Sequence, residues 1–183
     1  MKTGQKSIIY CLVLLLNSYL TLMSRRKNNL PSMTENEYAY ELRLLTERFP
    51  PLEYHLVDVD GGPSAVIAAY KKGESIPVYT GDSEGTIWGE PEMNWLFRAH
   101  HDSIHLRYDV PFTQLGEYIT AEISSALAEI MGFKALAFAI RADVAGFAAY
   151  EADYDEFAPQ WLTKHLMDTV GIAVEGEKYR TAK

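Results

Sequence analysis

Residues 98–117 read RAHHDSIHLRYDVPFTQLGE, and this stretch determines how the rest of the chain is interpreted. His101 and His105 are four residues apart, a spacing that places two side chains on one face of a helix, one turn apart. Pro111 ends such a helix, and Thr113 is a favourable N-cap for the next one. The stretch therefore predicts two consecutive helices, with a pair of imidazoles near the end of the first.

The second of these helices supplies a third candidate ligand. Glu117 lies in its first turn, and a short connection between antiparallel helices brings this turn close to His105. Glu122 lies further along and is expected to point elsewhere. Two histidines with one or two carboxylates suit a divalent metal, with zinc preferred and Fe(II) or Mn as alternatives, and leave a position open for water or substrate. We predict a metal site formed by His101, Asp102, His105 and Glu117.

Two side chains near the histidines are predicted to act in catalysis. Asp102 follows the first histidine, where a zinc-protease helix carries a glutamate, and it is either a fourth ligand or the base that positions a metal-bound water. Arg98 lies one turn before His101, near the same helix face. It either grips a substrate carboxylate through two parallel hydrogen bonds or pairs with Glu117 or Asp102.

The pattern H-D-x-x-H-x11-E over residues 101–117 resembles the metal-binding motif of the fourth Coq protein family of ubiquinone biosynthesis. Residues 115–117 are similar to that family's L-G-E, and residues 110–113 to its proline-containing connection. A looser similarity extends over about 95–171, and none is seen over 34–90. The resemblance implies a helical fold, a bound divalent metal and oxidative decarboxylation at C1 of a prenylated benzoate ring. The motif is also similar to one in small uncharacterised bacteriophage proteins with no known activity.

The amino-acid composition indicates a single globular domain with an acidic surface. The chain has 183 residues, 48% of them hydrophobic, which is enough for the core of one domain. Residues 1–33 contain five Lys or Arg and no acidic residue, so residues 34–183 hold 12 basic and 25 acidic residues. A body this acidic repels a phosphate backbone, and no nucleic-acid partner is expected. Cys11 is the single cysteine, which rules out a disulfide framework within the chain and suits the cytoplasm.

The N-terminal segment is set apart from the body of the chain. Residues 7–23 are apolar and just long enough for a membrane-spanning helix, but no small-x-small cleavage site follows. Membrane association is therefore expected only through this stretch. Alternatively the protein starts at Met33, since Thr34 and Glu37 form a capping box. We divide the chain into an optional anchor or start-codon artefact (1–33), a single metal-binding domain (34–174) and a polar tail (175–183).

The predicted fold is mainly α, a helical metal-binding bundle with a small antiparallel β element near residues 52–80. The β element is expected because short apolar runs alternate with glycine-containing turns there. The expected strands are 52–59, 65–70 and 76–80. The expected helices are 34–49, 91–106, 114–131, 133–154 and 159–170.

The remaining histidines and a pair of aspartates are interpreted as structural. His100 points about 100° away from His101 on a helix, which places it behind the ligands or at the surface. His55 alternates with apolar residues in a strand, and His165 is expected at the edge of the core. Asp58 and Asp60 resemble the start of a calcium loop, but the ligand spacing stops there, so a turn is predicted.

These observations favour a metal-dependent enzyme, a lyase or hydrolase, acting on a small carboxylated or aromatic substrate. The alternative is a binding or structural module without enzymatic activity, such as a phage accessory protein, in which the metal only holds two helices together. An open coordination position facing a pocket favours the enzyme, and a closed shell favours the module.

Overall fold

A computed structural model of the chain describes residues 35–154 together with 159, 162 and 163. The helices and strands in chain order are α1 (Glu35–Arg48), β1 (Tyr54–Val57), α2 (Gly62–Lys72), β2 (Ile76–Tyr79), α3 (Pro91–Arg107), α4 (Gln114–Ile130) and α5 (Lys134–Tyr154). The predicted mainly α fold with a small β element is confirmed. Of the helix predicted at 159–170, only residues 162 and 163 are described as helical. The N-terminal segment and the polar tail lie outside the described residues.

The β element differs from the prediction in its direction. β1 and β2 pair in parallel, with Tyr54 opposite Ile76 and Val57 opposite Tyr79. Antiparallel pairing was the wrong prediction because residues 65–70, expected to form a strand, lie inside α2. Two parallel strands need a crossover between them, and a helix provides it.

The sequence of α2 contains the signals of a helix. Pro63 stands at its start, and Gly73 ends it with a left-handed backbone angle (φ 72°) that glycine adopts without strain. Val66 and Ala69, three residues apart, form its buried face. The apolar part of α2, residues 65–70, is only six residues long. The spacing of its apolar residues therefore did not distinguish a helix from a strand.

The core lies between α1, α3, α4 and α5. Leu42 and Leu45 of α1 and Leu136 and Ile140 of α5 are fully buried, each contributing roughly 1.5–3 kcal/mol by leaving water. Alanines on α4 and α5 let these two helices pack extensively against one another. Their packing fixes α4, and with it the position of its first turn.

An ion-pair network on the outer side of α4 and α5 supports this packing. Arg141 of α5 contacts Glu122 at 2.9 Å and Glu129 at 2.8 Å, both on α4. Glu122 therefore points away from the histidines, as predicted. Among the described helices, none is long and apolar enough to cross a bilayer.

Candidate metal centre

The two histidines lie on one face of α3, as their spacing predicts. The Nε2 atoms of His101 and His105 are 3.1 Å apart, and the ring centroids are separated by 4.7 Å. His105 is 1% exposed, whereas His101 is only partly buried. The pair thus offers two nitrogen donors to a single point beside the helix.

Glu117 reaches this point from the first turn of α4. Its Oε2 lies 2.9 Å from Nε2 of His101 and its Oε1 lies 3.2 Å from Nε2 of His105. The helix start is fixed by Thr113, whose hydroxyl accepts a hydrogen bond from the Gly116 backbone N–H at 3.2 Å. Gly116 is required there because a Cβ would overlap the carbonyl oxygen of Pro111. The close backbone approach at Gly116 is thus made by the connection between α3 and α4.

The separations between the three donors fit a tetrahedral metal ion. Ligands about 2.0–2.1 Å from a tetrahedral ion are separated from one another by roughly 3.3 Å. The two imidazole nitrogens are 3.1 Å apart, only slightly less than this, and they lie 2.9 and 3.2 Å from different oxygens of the Glu117 carboxylate. The group of His101, His105 and Glu117 could therefore hold a metal ion.

The remaining contacts of the His105 ring are those typical of a metal-binding histidine. Its Nδ1 lies 3.1 Å from the carbonyl oxygen of Val110, which accepts the Nδ1 proton, so Nε2 would be the nitrogen that gives up its proton and offers its lone pair to a metal. The ring stacks on Phe112, with centroids 4.1 Å apart and planes 13° from parallel. Both partners come from the connection between α3 and α4, so this short segment orients the ligand.

The charges of the centre suit a cation. Burial acts to raise the pKa of Glu117, but the hydrogen bonds from His101 and His105 lower it to about 2. Burial acts to lower the pKa of His101, but the hydrogen bond to Glu117 and its charge raise it. The carboxylate is therefore anionic at neutral pH, as a metal ligand must be, and a metal would displace protons from the histidines.

Asp102 does not join the three donors. The described group that could hold an ion contains His101, His105 and Glu117, and Asp102 lines the neighbouring cavity instead. Burial raises the pKa of its carboxyl to about 6, against the opposing effect of both histidines. Both of its predicted roles, fourth ligand or base, stay predictions.

Arg98 is held by the backbone between β2 and α3. Its guanidinium donates hydrogen bonds to the carbonyl oxygens of Tyr79 and Gly81, both at 2.7 Å, and of Asp82 at 3.1 Å. The ion pairs of the described residues do not include the predicted pairing with Glu117 or Asp102. Arg98 lines the cavity as well, and its catalytic role stays a prediction.

A cavity of about 530 Å³ adjoins the centre. His101, Asp102 and Glu117 form part of its wall, and the turn after β1, strand β2, and helices α3 and α5 form the rest. Much of the remaining wall is apolar, with aromatic rings close to the centre. Its apolar lining residues include Val66, Phe97, Phe112, Val144 and Phe147. The centre therefore opens onto a space that fits a small molecule.

One acidic residue of the cavity was missed by the sequence reasoning. Asp143 lies on α5 and is 9% exposed, and it accepts hydrogen bonds from Nε1 of Trp88, at 3.3 Å, and from the hydroxyl of Thr163. Burial raises the pKa of its carboxyl. The available signal was a lone acid in residues 135–150, a largely apolar stretch whose only other charged residue is Arg141.

The other histidines have structural partners where they are described. His100 is buried rather than at the surface, because its Nε2 lies 3.1 Å from the hydroxyl of Ser124 on α4, and burial lowers its pKa to about 4. Nδ1 of His55 lies 2.9 Å from the hydroxyl of Ser75. His165 lies outside the described residues. Asp60 accepts a hydrogen bond from the Gly62 N–H at 2.8 Å, which is the turn predicted there.

The fold and the centre define a helical protein with a candidate His-His-Glu metal site at the edge of a cavity. Comparisons with known proteins found no matching family model, no similar curated protein and no similar solved structure.

Proposed function

We propose that this protein is a divalent-metal-dependent enzyme that acts on a small, aromatic or otherwise largely apolar substrate. One observation carries the proposal. His101 and Glu117 belong both to the donor group and to the wall of the cavity, so a bound ion would face the space that holds the substrate. A metal that served only the fold would be enclosed by its ligands.

The donor set supports zinc, with Fe(II) or Mn as alternatives. Three protein ligands leave a fourth position for water or for a substrate oxygen. The ion would polarise a carboxylate or carbonyl group or activate water, which corresponds to a lyase or a hydrolase. Asp102 lines the same cavity and burial raises its pKa to about 6, so in this proposal it would exchange a proton with a group beside the ion.

The resemblance over residues 101–117 supports the lyase. In the ubiquinone family the same pattern belongs to oxidative decarboxylation at C1 of a benzoate ring. Here we propose only cleavage of the C–CO₂ bond, with a proton taking the place of the carboxylate; an aromatic acid would place its carboxylate on the metal and its ring against Phe97 and Phe112. A cytoplasmic location fits the single cysteine, with membrane association depending on residues 7–23.

The second candidate is a binding or structural module whose metal holds α3 against α4, as in an accessory phage protein. The observation in its favour is that Glu117 already contacts both histidines and so joins the two helices. The two candidates differ in what happens when the ion is removed. The module loses its fold, whereas the enzyme loses its activity.

The test begins with the metal content of the full chain and of three variants. We expect one ion per wild-type chain, none in His105→Ala, and one in the control His55→Ala, because His55 lies in β1, away from the centre. Asp102→Asn should keep the ion and melt at no lower temperature than wild type, but lose turnover. Turnover is followed by release of CO₂ from hydroxybenzoates and by hydrolysis of aryl esters.

Absence of stoichiometric metal from the wild-type chain would refute the proposed function. Unfolding of the wild-type chain on removal of its metal would favour the structural module instead.

A further inference from the structure

Arg98 connects the helix that carries the two histidines to the segment that follows β2. Its Nη1 donates hydrogen bonds to the carbonyl oxygens of Tyr79 and Gly81, both at 2.7 Å, and its Nη2 donates one to the carbonyl oxygen of Asp82 at 3.1 Å. Arg98 precedes His101 by three residues, so this connection lies about one helical turn from the candidate centre. Three of the five N–H groups of the guanidinium are thereby used within the protein.

This connection helps to shape the wall of the cavity. Tyr79 and Asp82 line the cavity together with Arg98 and His101. The guanidinium carbon of Arg98 lies 5.8 Å from the centre of the Tyr79 ring, which is close enough for an attractive cation–π contact. The same ring covers Gly81, where a Cβ would overlap it. The position of this part of the wall relative to the histidines therefore depends on Arg98.

Trp95, also on α3, holds the same segment at a different point. Its Nε1 donates hydrogen bonds to the carbonyl oxygen of Thr80, at 3.1 Å, and to the hydroxyl of Ser83, at 2.9 Å. Trp95 is not among the described residues that line the cavity, whereas Arg98 is. Loss of the Arg98 hydrogen bonds should therefore loosen the wall at the cavity, while Trp95 keeps the segment attached to the helix.

The charge of Arg98 already lies among negative groups. Burial lowers the pKa of Arg98. The carboxylates that oppose this effect are those of Asp82, Asp143 and Asp60, and all three residues line the cavity. A substrate anion at this position would meet these carboxylates as well as the guanidinium. The surroundings of Arg98 therefore favour a role within the protein over a grip on a substrate carboxylate.

We propose that Arg98 is a positioning residue, which holds the backbone after β2 as a wall of the cavity beside the metal centre and does not bind the substrate itself. This inference rests on the proposed function and names the residue that sets the shape of the substrate space. A ligand long enough to reach from the metal to Tyr79 and Asp82 depends on Arg98, whereas a ligand that contacts only the metal does not. The dependence is the same for charged and uncharged ligands.

The test uses three hydroxamates, which bind zinc through the hydroxamate group, and the zinc-loaded full chain. Acetohydroxamate is short and reports on the metal alone. Two biphenyl-4-hydroxamates are long enough to reach the wall, and they carry a 4′-carboxylate or a 4′-carboxamide. These two groups have nearly the same shape but differ in charge. Dissociation constants are measured by calorimetry with and without zinc.

Two variants of Arg98 are compared with wild type. Arg98→Met removes the hydrogen bonds and the charge, and it should weaken both biphenyl probes by a similar factor, about fivefold, without weakening the binding of zinc or acetohydroxamate. Arg98→Lys keeps the charge, but one ammonium group cannot hold three carbonyl oxygens as the planar guanidinium does. It should show the same pattern with a smaller loss, and it carries the test if Arg98→Met does not fold.

Arg107→Met is the matched control. Arg107 also lies on α3 and donates a hydrogen bond to a backbone carbonyl oxygen, that of Pro50 at 2.5 Å. It is not among the described residues that line the cavity. All three probes should therefore bind this variant as they bind wild type.

The outcomes separate this inference from the proposed function. A loss confined to the carboxylate probe would show that Arg98 grips an anion, and it would overturn the positioning role while leaving the metal site standing. Unchanged affinity of both Arg98 variants for the biphenyl probes, or an equal loss for all three probes, would also overturn it. Absence of zinc-dependent binding of any probe to wild type would refute the metal site and the inference that rests on it.

Discussion

Glu117 places one carboxylate oxygen against each of the two imidazoles, so its shape and its charge both matter to the centre. Glu117→Gln preserves the shape, but one oxygen becomes an NH₂ group that cannot bind a metal, and the negative charge is lost. Loss of an outer contact to a metal ligand typically weakens metal binding by roughly 10–100-fold. We expect Glu117→Gln to weaken zinc binding by at least this factor in a competition titration with a chelator. Glu122→Gln, on the outer side of the same helix, should leave it unchanged.

Asp143 is expected to make the stability of the metal-free chain depend on pH. Burial raises the pKa of its carboxyl above the ordinary value of 3.8, so the folded state binds this proton more tightly than the unfolded state does. Below pH 3.8 the carboxyl of Asp143 is protonated and does not destabilise the folded chain. Above the raised pKa it is ionised, and the cost of burying its charge lowers the free energy of unfolding in full. Asp143→Asn keeps an acceptor for Trp88 and offers a donor to Thr163. It should match wild type at low pH and melt at a higher temperature at pH 7.

Thermal unfolding in the presence of EDTA at a series of pH values measures this difference. Asp82→Asn is the control, because Asp82 is exposed and the same substitution there should leave the melting temperature unchanged at every pH. If the melting temperatures of Asp143→Asn and wild type differed by the same amount at every pH, ionisation of Asp143 would not affect stability, contrary to this prediction.

The residues of the centre differ in how far the sequence could identify them. His101, His105 and Glu117 were predictable because one helical turn and one short connection determine their separation. Asp143 reaches the cavity because α5 packs against α1 and α4. That arrangement depends on contacts between residues distant in the chain, which no local spacing encodes.

At the scale of the helices and strands, the connection between α3 and α4 has the strictest steric requirement. A Cβ at Gly116 would overlap the Pro111 carbonyl oxygen, which belongs to the backbone and cannot rotate away. Gly116→Ala must therefore shift the start of α4 and carry Glu117 away from the histidines. We expect a loss of stability of about 1–3 kcal/mol in denaturant unfolding, together with weaker zinc binding.

The neighbouring substitution Leu115→Ala is the control for Gly116→Ala, because Leu115 is 67% exposed and also lies in the first turn of α4. It should change the free energy of unfolding by less than about 0.5 kcal/mol. Unchanged zinc affinity in Gly116→Ala would show that the turn adapts without moving Glu117, contrary to this prediction.

Helix boundaries were predictable where caps and breakers mark them, as at Pro91, Thr113 and Gly132. The relative direction of the two strands was not predictable in this way. Whether two short strands pair in parallel depends on the segment between them, and the apolar part of α2 is too short for its period to be decisive. One wrong assignment, at residues 65–70, therefore changed the topology of the whole β element.

In the molecule as a whole, the parallel pairing places the cavity beside the carboxyl ends of the two strands. Val57 and Tyr79, at the carboxyl ends of β1 and β2, line the cavity together with the turn that begins α2. Ligands of parallel sheets commonly bind at this edge, since the loops that follow the strands converge there. The helices supply the candidate metal ligands and the strand ends supply another part of the wall, so the cavity requires both parts of the fold.

The core and the metal centre are separate regions of the molecule, and this separation predicts how the whole chain responds to metal. The core side chains of α1, α3, α4 and α5 pack against one another without involving Glu117. The metal-free chain should therefore stay folded in EDTA, with unchanged helical circular dichroism. Zinc at 100 times its dissociation constant adds about 2.7 kcal/mol to the free energy of unfolding, which raises the melting temperature by roughly 5–10 °C.

The increase in melting temperature should depend on zinc concentration, since only the folded chain presents the three donors together. His105→Ala should melt at a lower temperature than wild type and show no increase with zinc, while His55→Ala should show the full increase. A chain that loses its helical signal in EDTA would instead show that the ion holds α3 and α4 together. The structural module would then explain the centre better than catalysis does, because the free energy of metal binding would be needed for folding itself.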